Sequence, residues 1–333
     1  MTPQMTAQTL PLPPDLLAAL NGTGWDHAAQ APLAGDASAR SYLRLTRGPG
    51  DSAILMRAPV TTPAERDSLA AFLAIGDHLA RLGLSPPKVI RALPAMGLIL
   101  MEDFGDATLA RLLGADPNSA QTAYHTTATD VMACLASAPL PAALARPDFG
   151  QQAAMIDLTL GLLPDPGAVA GLRDGLETAL ATHCPGPPVL ALRDCHGDNL
   201  IWLGARNGAA RIGLLDFQDA VALPLGYDLA SLVDDPRRDL PLGWRDDLIA
   251  GFATALGLPL PEVQTRIATL SVLRNLRILG IFHRLATQMG KPQYRAFLPR
   301  TGRLIDRAVS HPALAGLRAP VTELRRQTQG WGA

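Results

Sequence analysis

Apolar and polar residues alternate on both sides of a turn between residues 39 and 60, in the segment ARSYLRLTRGPGDSAILMRAPV. The turn contains Gly48, Pro49, Gly50 and Asp51, which are residue types that tight turns favour. This pattern predicts a β-hairpin made of two short strands.

Helical spacing follows in the segment TTPAERDSLAAFLAIGDHLARLGL, with apolar residues at Leu69, Phe72, Leu73, Leu79 and Leu82. We predict a helix that ends at Gly83, before Pro86 and Pro87. The next two apolar runs, KVIRAL and GLILME, predict strands. The order of these elements indicates a small antiparallel sheet with one helix packed against it.

From Asp106 onward the pattern changes to long stretches that are rich in alanine and leucine, with proline-containing breaks between them. They predict a second, mainly helical lobe. Residues 188–220 are an exception, because short apolar runs alternate there with polar loops, as expected for a small sheet whose loops carry function. We therefore predict an α+β fold with an N-terminal lobe over residues 1–103 and a C-terminal lobe over residues 104–333.

The composition of the chain narrows the function classes. It has 333 residues, of which 48% are hydrophobic and 18% charged, and its net charge is -1 because 29 basic residues face 30 acidic ones. Such a balance predicts no nucleic-acid partner, since binders of the phosphate backbone carry a clustered basic excess. No segment has about 18 consecutive apolar residues, which predicts no membrane span. Three cysteines without a C-x-x-C pair, and no recognisable signal peptide, favour the reducing cytoplasm.

The segment RDCHGDN, residues 193–199, concentrates polar groups between two apolar runs. Asp194 precedes Asn199 by five residues, and Asp216 follows after a further 17 residues and the apolar run IGLL. This spacing resembles the catalytic core of the protein-kinase-like phosphotransferases. The resemblance implies that Asp194 aligns and deprotonates the acceptor hydroxyl, and that Asn199 and Asp216 supply the oxygen ligands that Mg²⁺ prefers.

Purely structural interpretations of these residues compete with the catalytic one. A lone D-x-x-x-x-N match is more often a structural loop, and only the following strand and DFQD segment, together with the upstream sheet, reverse that balance. For Cys195 and His196 we favour packing or loop bracing, since neither has a second metal ligand or a triad partner in view. A metal site built on Cys and His is not supported.

Three longer blocks resemble the aminoglycoside phosphotransferase family, and more narrowly the bacterial kinases that phosphorylate N-acetylmuramate and N-acetylglucosamine at the anomeric carbon. They are LAGDASARSYLRL, LLDFQDAVALPLGYDLASLVDDPR and LRNLRILGIFHRLATQMGKPQYRAFLPR. The resemblance implies a two-lobed kinase-like fold, ATP and Mg²⁺ as cofactors, an amino sugar as the small-molecule substrate and a cytoplasmic location. It makes no prediction of the oligomeric state.

The first block is similar to the family's turn over the ATP phosphates, which implies that Gly35, Ser38 and Arg40 bind nucleotide. As a bare sequence, the same block is equally a solvated turn. The family's strand lysine is replaced in AILMRAP, where Arg57 is the candidate substitute; if strand alternation points Arg57 away from the cleft, Arg40 takes this role instead.

Two further elements complete the nucleotide side. GLILMEDFGD resembles the hinge between kinase lobes, which implies that backbone groups near Glu102 meet adenine; the alternative is an edge strand that runs into a helix cap. Glu65 is the candidate partner of either arginine, and a solvent-facing helical carboxylate is the alternative.

On the acceptor side, the resemblance blocks contain Asp219, Asp228 and Arg274. A carboxylate such as Asp219 accepts hydrogen bonds from sugar hydroxyls, and Arg274 suits a substrate carboxylate. For Asp228 we favour a cap or a buried brace.

Two alternatives stay open. The first keeps the chemistry and replaces the sugar with an aminoglycoside, choline or another small alcohol. The second is a non-catalytic nucleotide-binding module, suggested by the missing strand lysine and by Leu192, which stands where many kinases have a histidine.

Overall fold

The computed structural model describes residue 16, residues 20–33 and residues 39–331. The predicted nucleotide-binding residues Gly35 and Ser38 lie outside the described residues.

Five antiparallel strands form a sheet in the first part of the chain. The strands are β1 (Ala29–Leu33), β2 (Ser41–Gly48), β3 (Asp51–Arg57), β4 (Val89–Leu93) and β5 (Leu98–Glu102). Their spatial order is β1, β2, β3, β5, β4. The predicted hairpin is therefore confirmed as β2 and β3, and both later strands are confirmed. Strand β1 was not predicted. It contains Pro32, which is tolerated because β1 is an edge strand.

The two faces of the sheet pack against different partners, because side chains alternate along each strand. Ile54 and Met56 of β3 belong to the large core that includes helix α1 (Pro63–Arg81), whereas Ala53 and Leu55 pack in a second cluster with Trp25. Even-numbered positions of β3 thus face the interior of the molecule.

Helix α1 confirms the predicted helix. Thr62 and Glu65 form a capping box at its start, and Gly83 adopts a left-handed φ of 76° just after its end. Glu65 accepts hydrogen bonds from the backbone N–H groups of Thr61 (3.0 Å) and Thr62 (2.9 Å). Its carboxylate is therefore a helix cap, and the solvent-facing interpretation of Glu65 is the one that the structure supports.

The remainder of the chain is mainly helical, as predicted. Its α-helices are α2 (Leu109–Ala115), α3 (Pro117–Thr126), α4 (Met132–Ser137), α5 (Phe149–Ala153), α6 (Asp157–Leu160), α7 (Gly171–His183), α8 (Tyr227–Val233), α9 (Trp244–Ala255), α10 (Leu260–Thr287), α11 (Leu298–Val309) and α12 (Arg318–Gln327). One π-helical turn (Thr127–Val131) joins α3 to α4. Helix α10 is the longest and contributes many buried side chains to the core.

Two small ribbons lie between α7 and α8 and position the polar loops. Strand β6 (Val189–Ala191) pairs with β9 (Val221–Leu223), and β7 (Leu200–Trp202) pairs with β8 (Ile212–Leu214). The predicted small sheet is thus two separate ribbons. The loop between β6 and β7 carries Asp194, and the turn after β8 carries Asp216.

One core connects the sheet to the helical part. The ring of Phe72 on α1 stacks on Phe217, which follows Asp216, with 5.0 Å between ring centroids and 16° between ring planes. Since Phe217 is only 1% exposed, this contact anchors the Asp216 turn against α1.

Candidate active site

A cavity of about 750 Å³ lies between the sheet and the helical part. Arg40, Tyr42 and Arg44 line it from the sheet side, and Asp194 and Asn199 line it from the helical side. Asp216 and Asp219 also contribute to the lining. Residues far apart in the sequence thus converge on one space that is large enough for a nucleotide-sized ligand.

The loop that carries Asp194 is held from below by a buried carboxylate. Asp228, at the start of α8 and 6% exposed, accepts hydrogen bonds from the backbone N–H groups of Leu192 (2.7 Å) and Arg193 (3.0 Å). Arg193 has a left-handed φ of 72°, a conformation that costs a non-glycine residue free energy and therefore needs such support. The brace interpretation of Asp228 is confirmed.

Burial dominates the electrostatics of Asp228. It raises the pKa of this carboxyl to about 7, while the two backbone N–H donors and the charge of Arg274 act in the opposite direction. Asp194 lies close enough for its negative charge to raise this pKa further.

Asn199 and Asp216 lie side by side. The amide nitrogen of Asn199 is 3.0 Å from the carbonyl oxygen of Asp194 and 3.4 Å from a carboxylate oxygen of Asp216. The backbone strengthens this arrangement, because the N–H of Leu215 donates to the carbonyl oxygen of Asn199 at 2.9 Å. The structure therefore brings together the three residues that the sequence spacing singled out.

Asp216 stands in a strained and crowded position. Its φ is 57°, and Gln218 donates a hydrogen bond of 2.7 Å to its carboxylate. The carboxylate reaches the water in the cavity, yet protein atoms surround it on most sides, and this enclosure raises its pKa, as do the charges of Asp194 and Asp219. The Gln218 hydrogen bond and the charge of Arg40 lower the pKa in part.

These groups fit a divalent cation. Three carboxylates whose charges act on one another, with a neutral amide beside them, form a set of hard oxygen donors of the kind that Mg²⁺ binds. Within the described residues, the side-chain hydrogen bonds of Asn199 use its amide nitrogen, so its side-chain oxygen stays available for a cation.

Of the two arginines considered for the phosphates, only Arg40 lines the cavity. It donates a hydrogen bond of 2.8 Å to the hydroxyl of Ser68, lies over the ring of Phe72 and lowers the pKa of Asp216 by its charge. Arg57 is exposed and does not line the cavity. The nucleotide-binding prediction for Arg57 is contradicted, because odd-numbered positions of β3 point to the outer face of the sheet.

Glu102 ends β5 at the edge of the cavity. Its carboxylate forms an ion pair with Arg206, and its backbone N–H donates to the carbonyl oxygen of Lys88 at 2.9 Å. The carboxylate and the backbone N–H of Glu102 are thus already engaged by the protein. The hinge role of this segment stays a prediction.

Arg44 is a residue that the sequence reasoning missed. It extends from β2 and donates hydrogen bonds to Asp103 (3.0 Å) and to both carboxylate oxygens of Asp106 (3.0 and 3.1 Å). It therefore links the sheet to the segment that leads into the helical part. Two acidic residues directly after a predicted strand were the only signal for it.

The predicted acceptor-binding residues differ in their position relative to the cavity. Asp219 is exposed and lines the cavity. Arg274 is fully buried at 0% exposure and donates to the carbonyl oxygen of Asp234 at 3.2 Å. The substrate-binding prediction for Arg274 is contradicted, because its position on α10 turns its side chain into the core. Two other arginines, Arg237 and Arg277, line the cavity and were not predicted.

His196 and the cysteines behave as packing residues. His196 is 5% exposed, and burial together with the charge of Arg237 lowers its pKa, so the imidazole is neutral. Its ring lies near Asp198 and Asp235, but Arg238 forms an ion pair with Asp198 and already neutralises this cluster. The three cysteines, Cys134, Cys184 and Cys195, are all free thiols.

Comparison with known proteins decides the family. Residues 29–263 match the model of the phosphotransferase enzyme family. The chain belongs to this family. It is an ATP-dependent kinase that transfers a phosphoryl group to a hydroxyl, and enzymes of this family use a divalent metal ion.

Curated relatives of this kinase cover most of its length. An N-acetylmuramate/N-acetylglucosamine kinase of Caulobacter vibrioides is 34% identical, over 90% of this chain and 93% of that relative. A kinase of the same name from Neisseria meningitidis is 28% identical, over 87% of this chain and 89% of that relative.

Solved structures confirm the α+β, protein-kinase-like fold. A choline/ethanolamine kinase family protein from Mesorhizobium loti has a TM-score of 0.62 at 17% identity, over 94% of this chain and 98% of the other. The GDP complex of aminoglycoside 2′-phosphotransferase-IIIa has a TM-score of 0.61 at 12% identity, over 89% and 98%. Within the described residues, no helix combines the length and apolar character that crossing a lipid bilayer requires.

Proposed function

We propose that this kinase phosphorylates an amino sugar, N-acetylmuramate or N-acetylglucosamine, at its anomeric hydroxyl, with ATP and Mg²⁺. The observation that carries the proposal is the shared cavity of Asp194, Asn199 and Asp216, with a wall of aromatic, aliphatic and arginine side chains beside it. The names of the curated relatives supply the same substrate class.

In this proposal Asp194 aligns the acceptor hydroxyl and accepts its proton as the oxygen attacks. Its backbone is fixed by the Asp228 brace and by the amide of Asn199, so the carboxylate is held ready without reorganisation. Asn199 and Asp216 would hold Mg²⁺, which when bound neutralises charge on the transferred phosphoryl group.

Arg40 neutralises the ATP phosphates in place of the missing strand lysine. It carries a permanent charge, lies at the cavity edge near Asp216 and presents planar N–H donors that match phosphate oxygens. We further propose that residues 1–103, ending at the hinge near Glu102, bind the nucleotide and that residues 104–333 bind the acceptor.

The wall formed by α10 favours a sugar over a polycation. Its cavity-lining residues include Ile278, Ile281 and Phe282, and the ring of Tyr294 lies 5.2 Å from that of Phe282. Aromatic and aliphatic surfaces pack against the apolar face of a sugar ring, while Asp219 accepts hydrogen bonds from its hydroxyls.

An aminoglycoside carries several positive charges and would need a cluster of free carboxylates at this wall. Two carboxylates near the catalytic loop are engaged by the protein, because Asp198 pairs with Arg238, and Asp235, 4% exposed, pairs with Arg237. Asp219 is an exposed carboxylate of the cavity lining, but a single such group does not match several positive charges. The structure therefore supports the amino sugar more strongly than a polycationic acceptor.

A panel assay tests the proposal. Purified protein is given ATP, Mg²⁺ and, separately, N-acetylmuramate, N-acetylglucosamine, kanamycin and choline, and ADP release is measured. We expect turnover on the two sugars that Asp194→Asn reduces by about 100-fold or more. Turnover on kanamycin or choline alone would show that this compound, and not an amino sugar, is the acceptor. Nucleotide binding without any turnover would support a non-catalytic module.

A further inference from the structure

Arg277 lies on the face of α10 that forms the acceptor wall. Its neighbours at helical spacing, Ile278, Ile281, Phe282 and Leu285, also line the cavity. A single charged side chain is thus set at the start of an otherwise apolar stripe. Arg277 follows the buried Arg274 by three residues, slightly less than one helical turn and about 4.5 Å along the axis. Arg274 in turn lies within electrostatic reach of Asp194.

The other arginines of the cavity have partners. Four of the five are engaged by side chains: Arg44 and Arg111 by Asp106, Arg237 by Asp235, and Arg40 by Ser68. The fifth, Arg277, has no hydrogen-bond or ion-pair partner among residues 16, 20–33 and 39–331. It is half-buried. The guanidinium of Arg277 therefore stays available to an anionic group of a ligand, and such a pair gains strength because the side chain is already partly removed from water.

The anion that this position suits is a carboxylate on the acceptor. The metal-binding candidates Asn199 and Asp216, together with Arg40, mark the phosphate side, whereas Arg277 stands on the apolar wall. N-acetylmuramate carries a lactyl carboxylate that N-acetylglucosamine lacks, and an arginine pairs with such a group through two parallel hydrogen bonds.

We propose that Arg277 binds the carboxylate of an acidic amino sugar and sets the preference of this kinase for acidic over neutral acceptors. The proposal rests on the proposed function, since it names the residue that reads the substituent distinguishing the two sugars.

The test compares kcat/KM for N-acetylmuramate, its methyl ester and N-acetylglucosamine in the wild type and in Arg277→Gln. We expect the variant to lose about 10- to 100-fold on N-acetylmuramate, mainly in KM, because a hydrogen bond to a charged group is removed. Values for the ester and for N-acetylglucosamine stay within twofold, which also reports that the variant is folded.

Arg284→Gln is the matched control, because Arg284 is an exposed arginine of the same helix outside the cavity lining. Arg284→Gln should leave kcat/KM unchanged for all three acceptors. Arg277→Lys should retain part of the kcat/KM for N-acetylmuramate that Arg277→Gln loses. An Arg277→Gln variant that loses activity equally on all three acceptors, or whose KM rises for ATP instead, would overturn the proposal and leave the amino-sugar function intact. A wild type inactive on every sugar would overturn both.

Discussion

Replacing Asp228 by alanine removes the acceptor of two buried hydrogen bonds, from the backbone N–H groups of Leu192 at 2.7 Å and Arg193 at 3.0 Å. Each orphaned donor costs about 1–3 kcal/mol. Part of this cost is offset, because the variant no longer has to bury the carboxyl group of Asp228, which is itself unfavourable. We therefore expect the free energy of unfolding to fall by about 2–4 kcal/mol.

The same substitution acts on catalysis without touching a reacting atom. Arg193 has a φ of 72°, and Asp194 is the next residue. We expect Arg193 to leave this strained conformation when the brace is removed. A shift of the catalytic group by about 1 Å costs about 100-fold in rate, so we expect kcat to fall by that factor while KM for ATP changes little.

The pH dependence of the free energy of unfolding distinguishes the titrating carboxyl group of Asp228 from a side chain that only fills space. Burial raises the pKa of Asp228 to about 7, from a usual value of 3.8, so between these pH values the folded protein binds one more proton than the unfolded chain. The wild type therefore loses stability as the pH rises through this window. Asp228→Asn has no carboxyl to titrate and should lack this loss.

Urea unfolding at pH 5 and at pH 7.5 measures these effects, together with steady-state kinetics at the higher pH. Asp239→Ala is the control, because its carboxylate is 72% exposed and its ion pair with Arg300 contributes at most about 1 kcal/mol. An Asp228→Ala variant with unchanged stability and a kcat within twofold of the wild type would refute the reasoning.

Four further substitutions test the site. Asp194→Asn should lower kcat by about 100- to 10,000-fold and leave ATP binding, measured by calorimetry, unchanged. Arg57→Ala should leave KM for ATP unchanged and should alter the free energy of unfolding by no more than about 0.5 kcal/mol. Arg40→Ala should raise KM for ATP about tenfold. Equal effects of the two variants on KM for ATP would contradict the assignment of the phosphate contact to Arg40. Arg44→Met removes the ion-pair partner of Asp103, whose side chain is 3% exposed, and should lower the free energy of unfolding in urea by about 1–2 kcal/mol.

Local patterns predicted the elements whose signals are themselves local. The β2–β3 hairpin has its turn residues and its alternation in one short segment, and α1 has its cap, its apolar spacing and Gly83 together. The same is true of Asp194, Asn199 and Asp216, because a fixed spacing on either side of a strand determines where they meet.

Side chains whose role depends on tertiary direction were harder to predict. Arg274 and Arg277 stand three residues apart on one helix, and only the packing of α10 decides that the first enters the core and the second faces the cavity. The prediction that Arg57 binds nucleotide failed for a similar reason. Strand alternation alone does not say which face of β3 points inward, and this is decided by the packing of α1 on one face and Trp25 on the other.

The central claim is that Asn199 and Asp216 hold a divalent cation beside Asp194. Electron paramagnetic resonance of Mn²⁺, titrated into protein with a non-hydrolysable ATP analogue, measures this directly. We expect tight binding in the wild type and binding weakened by about 100-fold in Asp216→Asn. Asp198→Asn, which alters a nearby carboxylate already paired with Arg238, should bind as the wild type does. Equal Mn²⁺ affinity in the wild type and in Asp216→Asn would contradict the account.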